Sequence, residues 1–409
     1  MIREKYIKRV KELNVNIVQT EVKSVGKKDI TKVGYRVYDN GYIGIGGAVG
    51  DVDEKQLEKR ALDNLNLKIP YPYKPSENLV KEVDYREKTP SDEEFVTEIE
   101  ELLSILRKEF PEFVFSNKIH LSEFETRLAN DVGLNLVHKD RFVMSELIIK
   151  EKTSINVIDA FAGYIDRVYN KDKFLQTIRD TLNAYKNPVK LPHEGKMPVV
   201  FMDNDILPFT KLIEELDGYK VGTGASLFKD YIGHKKFNDN FTLLQSTQRE
   251  DLTSFEFFDA EGTVNEDFKY TLIENGKIIS PYTDKKTAHQ FNLPLTGSAS
   301  CEYDMVPTLS PRNFKVVPSH KTLKELLDGQ MAVVVSIAAG GDFTDEGVFG
   351  TPVQLAFLTD GEKLIGRLPE LSLSGELYSM FGQDYIGKSK DKPFLDQRFL
   401  ALNLDVRYL

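Results

Sequence analysis

Apolar residues in the first 190 positions follow two different periods. Ile2, Tyr6, Val10 and Leu13 recur at steps of three and four, which predicts an opening amphipathic helix. IVQTEVKSV then alternates through Val18, Thr20 and Val22, and VGYRVYDNGYIGIGGAVG reads as a hairpin turning at Asp39, Asn40 and Gly41. Helical spacing returns from Asp53 to Leu65, and Pro70, Pro72 and Pro75 break it. Ser91 and Glu94 have the spacing of a capping box. Behind them Phe95, Ile99, Leu102, Leu103 and Leu106 make one apolar face, and Pro111 ends the helix. Phe113 to Lys152 reads as two long antiparallel strands about Asn130 to Gly133, and FLQTIRDTLNAY as a further helix.

The proline-rich stretch NPVKLPHEGKMP places a boundary near Lys190. The expected fold is therefore α+β with two domains: helices and an antiparallel sheet in 1–190, and a strand-rich domain in 191–409. In the second half Pro198 to Met202 predicts a strand and Asp205 to Leu216 a helix. YTLIENGKIIS predicts a hairpin, because Asn275 and Gly276 both tolerate the positive φ of a type I′ turn. Asp360-Gly361 offers a second such turn, and no repeat or low-complexity tract interrupts the pattern.

Length agrees with two domains, since one core rarely serves 409 residues. Charge narrows the partners: 54 basic against 64 acidic residues give a net −10, which repels a phosphate backbone, and no basic patch offsets it. A nucleic-acid role is not expected. Cys301 is the only cysteine, so no intrachain disulfide can form. The opening MIREKYIKRVKELN lacks a secretory apolar core, and the run Met331 to Ala339 is too short to span a bilayer, so the expectation is a cytoplasmic protein without membrane attachment.

Candidate chemistry concentrates in FFDAEGT. On an extended backbone Asp259 and Glu261 would share a face, and burial could part their pKa values for acid and base work. Composition alone favours a turn with solvated acids ahead of Gly262. The six histidines (His120, His138, His193, His234, His289 and His320) never fall at the spacing of a local zinc pair, and are read as surface or core residues. Cys301 is read as a buried, inert thiol. GIGGAVG lies in a hairpin with no lysine or helix start in register for phosphate, and Asp342, Asp345 and Glu346 read as a solvated loop.

The run from Phe257 to Ser300 resembles the TldD/PmbA family, metallopeptidase-related proteins once called modulators of DNA gyrase. Family members carry an Asp, a Glu-Gly, a strand, an Asn-Gly hairpin, a short Asp-x-x-x-Ala helix and a Thr-Gly step. Here these positions are Asp259, Glu261-Gly262, Leu272 to Gly276 with Asn275-Gly276 at the turn, Asp284 to Ala288, and Thr296-Gly297. GASLFKDYIG and LSLSGELYSMFGQDY extend the likeness. The resemblance implies a zinc-bearing branch, with a His-Glu-x-x-x-His helix and a late cysteine, and a branch without the metal.

This chain departs from the zinc pattern. The corresponding helix, DILPFTKLIEELDGY, offers Thr210, Glu214 and Glu215 in place of imidazoles, with the glutamates read as its wet face, and no cysteine follows Cys301. The resemblance thus implies no metal, no cofactor and no catalytic residue of its own. It implies a non-catalytic, PmbA/TldE-like subunit that pairs with a TldD-like zinc peptidase and acts on unstructured peptides. A self-dimer that binds peptides, and a zinc-independent hydrolase using the acidic residues, stay open as alternatives.

Overall fold

The computed structural model describes residues 1–409 except 52, 89 and 252–254. Its first sheet is built from β1 (Ile2–Val18), β2 (Glu21–Asp39), β3 (Tyr42–Val49), β4 (Ile69–Pro70), β5 (Val80–Asp84), β6 (Phe113–Asn130), β7 (Asn135–Glu151) and β8 (Ala160–Asp166). The order across it is β4-β3-β2-β1-β6-β7-β5, with β8 also on β7. Three helices accompany it: α1 (Glu54–Asn64), α2 (Asp92–Glu109) and α3 (Lys171–Tyr185). The mixed architecture and its antiparallel sheets agree with the expected α+β class.

The opening segment is a strand, which corrects the expected helix. A step of four, as from Tyr6 to Val10, satisfies a period of two as well as one of 3.6. Pairing decides the matter: β1 lies between β2 and β6, antiparallel to both, along almost its whole length. IVQTEVKSV likewise is not one strand, because Gln19 and Thr20, at φ 51° and 66°, turn β1 into β2. The other expected N-terminal elements fall where the pattern puts them, while β4, β5 and β8 were not expected. The Ser91/Glu94 capping box closes on α2, and Phe95, Ile99, Leu102, Leu103 and Leu106 are its buried face.

In the second half, five long strands close into a ring in the order 332–338, 195–202, 399–408, 371–376, 348–359 and back to 332–338. A smaller sheet runs 277–278, 269–274, 243–246, 314–316. Its Asn275-Gly276 turn has φ 48° and 76°, as a type I′ turn requires. Gly276 is also held by space, since a Cβ there would stand 2.2 Å from the Phe237 carbonyl oxygen. Gly276→Ala is therefore expected to cost about 2 kcal/mol, read from the urea unfolding midpoint.

The two halves are not packed as separate bodies. One core joins Phe95, Leu106 and Phe174 of the first half to Val200, Val334, Phe357 and Phe399 of the second. A smaller cluster joins Tyr6, Leu128 and Leu136 of the first sheet to Phe257 and Phe258. The two aromatic residues of FFDAEGT thus insert into the N-terminal sheet. Among the described residues, no helix is long and apolar enough to cross a membrane.

Candidate functional site at the junction of the two halves

Phe257 and Phe258 pull the following turn inward, so Asp259 and Glu261 are 2% and 3% exposed. The solvated-acid reading is corrected: apolar anchoring on both sides leaves these carboxylates nowhere to meet water. Asp259 serves the main chain. Its Oδ1 accepts the N–H groups of Glu261 at 3.0 Å and Thr263 at 2.8 Å, and its Oδ2 accepts that of Ala299 at 3.0 Å. Glu261 reaches both halves, with Oε1 accepting the Tyr71 hydroxyl at 2.6 Å and Oε2 the Lys285 N–H at 2.8 Å. Gly262 follows at φ +74°, where a Cβ would stand 2.9 Å from Leu134 Cδ2. Only glycine satisfies both conditions.

Electrostatics follows from this burial. Burial raises the Asp259 pKa, opposed by the charge of Arg312 and by the N–H bonds from Thr263 and Ala299. Burial, and then the charge of Asp259, push Glu261 up to about 7. Arg312 is buried nearby and donates to the carbonyls of Glu256 at 2.9 Å and Phe258 at 3.0 Å. Lys285 Nζ donates to the carbonyls of Lys74 and Glu261 and to Ser76 Oγ, at 3.0 to 3.1 Å. Every carboxylate oxygen of Asp259 and Glu261 has a protein donor and both side chains are buried, so the pair organises the junction and is shielded from a substrate.

Beside it lies a charge set that the sequence reading missed. Arg36 of β2 is fully buried; its Nη1 donates to Ala260 O at 2.7 Å and to Glu4 Oε1 at 3.1 Å, and its Nη2 to Cys301 Sγ at 2.9 Å. Its guanidinium lies 4.9 Å from the Tyr6 ring centroid, and the Tyr38 hydroxyl donates to the same Glu4 oxygen at 2.8 Å. The available signal was an arginine set among Val33, Tyr35, Val37 and Tyr38, a stretch otherwise too apolar to face water. Cys301 is half-buried, and burial pushes its thiol pKa up, away from the reactive thiolate.

The remaining motif residues divide by place. Thr296 and Gly297 belong to the junction: Thr296 is buried and its carbonyl accepts from Asn265 Nδ2 at 2.9 Å, and Gly297 turns at φ +73° against Thr263. Asn275 and Gly276 do not join them; Gly276 binds the Phe237 and Phe241 main chain instead. Asp342, Asp345 and Glu346 are exposed. His138 is wholly buried, stacked on Phe124 at 5.5 Å.

The helix Thr210–Glu215 settles how these residues suit zinc. Glu215 is 1% exposed, which corrects the wet-face reading for that residue. Its Oε1 is held by Lys211 Nζ at 3.0 Å and Lys220 Nζ at 2.8 Å, and its Oε2 accepts the Leu227 N–H at 2.6 Å. Lys211 itself is 5% exposed. Two ammonium groups therefore occupy the surroundings where a divalent cation would have to sit, and the helix supplies neither imidazole nor thiolate. The donor set does not fit zinc. Among the described residues, no group of three or more His, Cys, Asp or Glu side chains is arranged to hold a metal.

Comparison with known proteins gives these features a context. Residues 194–395 match the family model described as the PmbA/TldA metallopeptidase C-terminal domain. An uncharacterized protein of Methanocaldococcus jannaschii is 22% identical over 367 residues, covering 85% of this chain and 82% of its own length. Among solved structures, TldE from Thermococcus kodakarensis superposes with a TM-score of 0.78 at 17% identity, covering 99% of this chain and 96% of that one. A Thermotoga maritima protein, provisionally described as a modulator of a DNA gyrase, gives 0.78 at 16% identity with the same coverage. A similarly described protein of Bacteroides thetaiotaomicron gives 0.74 at 14%, covering 100% of this chain and 94% of that one. At these identities the structural likeness speaks for the fold.

Proposed function

Because the chain belongs to the PmbA/TldD family, we propose that it is a subunit without metal of a TldD-type peptidase complex acting on unstructured peptides. The observation that carries this reading is Glu215 of the helix Thr210–Glu215, held between Lys211 of the same helix and Lys220 of the next, Gly218–Thr223. A metallopeptidase fold whose corresponding helix has its glutamate bound by two lysines, and no imidazole or thiolate, needs its hydrolytic centre from another chain. The TldE-like fold supports the same assignment.

The role left to this chain is assembly and substrate enclosure. Among the described residues β8 pairs with β7 alone, which leaves one of its edges for an extended peptide to add by main-chain hydrogen bonds. Beside it, a cleft of about 290 Å³ between the two halves is lined by Gly163, Ile165, Asn204 and Ser336. Edge addition selects unfolded over folded substrates without demanding a particular side chain. Co-expression with a family subunit carrying His-Glu-x-x-x-His is expected to yield a stable complex that cleaves a denatured protein, while this chain alone leaves it intact. Stoichiometric zinc in the isolated chain, with turnover abolished by chelation, would overturn the reading. The acidic-hydrolase alternative finds no support in Asp259 and Glu261, which are buried and bound within the junction.

A further inference from the structure

A second cavity, of about 340 Å³, opens where the strand Gly195–Met202 ends. Phe209, Ile213, Leu243 and Leu400 wall it with apolar surface. Lys388 and Lys315 bring cationic side chains to the same space. Neither the junction nor the proposed subunit role uses this cavity.

Lys388 is 4% exposed, a rare state for lysine. Its Nζ meets Asp203 Oδ1 at 2.5 Å and donates to Val316 O at 3.0 Å. An ammonium has three donors. The third has no protein acceptor among the described residues. Lys315, half-buried on the adjoining strand, has no ion pair among the described residues. Burial pushes the Lys388 pKa down, Asp203 opposes this, and the nearby charges of Lys315 and Arg398 add to it. The other acid at the cavity, Asp205, accepts the Leu207 N–H at 2.9 Å, and burial raises its pKa. Asp203 is thus engaged by Lys388 and Asp205 by a main-chain N–H, which among the described residues leaves Lys315 without an ion pair and Lys388 with one donor to offer beside the apolar walls.

We propose that this cavity binds an apolar monocarboxylate, its carboxylate on Lys388 and Lys315 and its hydrocarbon part against Phe209, Ile213, Leu243 and Leu400. The volume lies at the lower end of small-molecule pockets, which cover ~300–1,000 Å³ and combine apolar walls with a few convergent polar groups. The chemistry is shared by a medium-chain fatty acid and by a peptide ending in an apolar residue. The proposal stands whether or not the chain pairs with a peptidase.

Titration calorimetry on the full chain tests it, with octanoate, octanol, and acetyl-Leu-Leu as free acid and as amide. At least one acid is expected to bind, with its uncharged counterpart weaker by about tenfold, the loss of one charge-assisted hydrogen bond. Octanoate binding alone assigns a lipid source; binding of the peptide acid alone assigns a peptide terminus. Lys388→Met should weaken the acid by about tenfold or more. Because it strands Asp203, Lys315→Met serves beside it, removing a cation from the half-buried rim and weakening the acid several-fold while unfolding is unchanged. Absence of heat from both acids at millimolar concentration, equal affinity for octanol and octanoate or for peptide amide and acid, or unchanged affinity in Lys315→Met would each overturn the proposal.

Discussion

Arg36→Ala is expected to destabilise the folded protein by roughly 3–5 kcal/mol, the range for breaking a buried ion pair by removing one partner. The loss goes well beyond one contact. Glu4, 2% exposed, would be left among the described residues with only the Tyr38 hydroxyl and Asn130 amide as donors, and the Ala260 carbonyl would lose its 2.7 Å bond from β2. Since Arg36 ties the N-terminal sheet to the FFDAEGT turn, the defect should also loosen the junction. Urea unfolding measures the first effect and limited proteolysis near residue 260 the second. Pairing Arg36→Met with Glu4→Gln should recover a substantial part, because replacing both partners by neutral side chains removes the stranded charge. A single Arg36→Ala loss below about 1 kcal/mol would show that the buried pair is not structural.

Glu261 makes stability depend on pH in the direction opposite to most carboxylates. Its folded pKa is about 7 against an ordinary 4.5, so the unfolded chain releases its proton first as pH rises. Its contribution is therefore fully present below 4.5, declines between the two values, and is lost once pH passes about 7. The difference amounts to roughly 3 kcal/mol. The groups that face it are Tyr71 from the first half, and Asp259 and Lys285 from the second. Glu261→Gln keeps the shape without titrating. The wild-type minus variant difference in urea unfolding free energy should fall as pH rises from 4.5 to 7; a flat difference would refute it. The comparison with the variant is needed because paired carboxylates such as Asp140, whose pKa is lowered by its bonds to Arg167 against the effect of burial, tilt the profile the other way.

Elements with an unambiguous period were legible in the chain itself. α2 declares its start through Ser91 and Glu94 and its buried face through five apolar residues, and the Asn275-Gly276 turn carries its own backbone preference. These are local decisions, made by residues within a few positions of one another. β1 was not legible, because its spacing fits a helix or a strand until β2 and β6 are present to pair with it.

The candidate site divides in the same way. The motif residues Asp259, Glu261, Gly262, Thr296 and Gly297 could be picked out along the chain, as could the missing zinc donors, because both depend only on which residue types stand where. Burial of the two carboxylates could not, for it depends on Tyr71 and Leu134, more than a hundred positions away. Arg36 against Ala260, and Lys388 against Asp203 and Val316, are likewise meetings of distant segments. Residue order thus determined the glycine turns at Gly41 and Gly276, most helices, the family likeness and the absence of a local metal helix, since these rest on short-range geometry and side-chain chemistry. Whether a charge faces water or a partner was decided only when separate strands closed over it, because desolvation is a property of everything packed around a group and not of the group's neighbours in the chain.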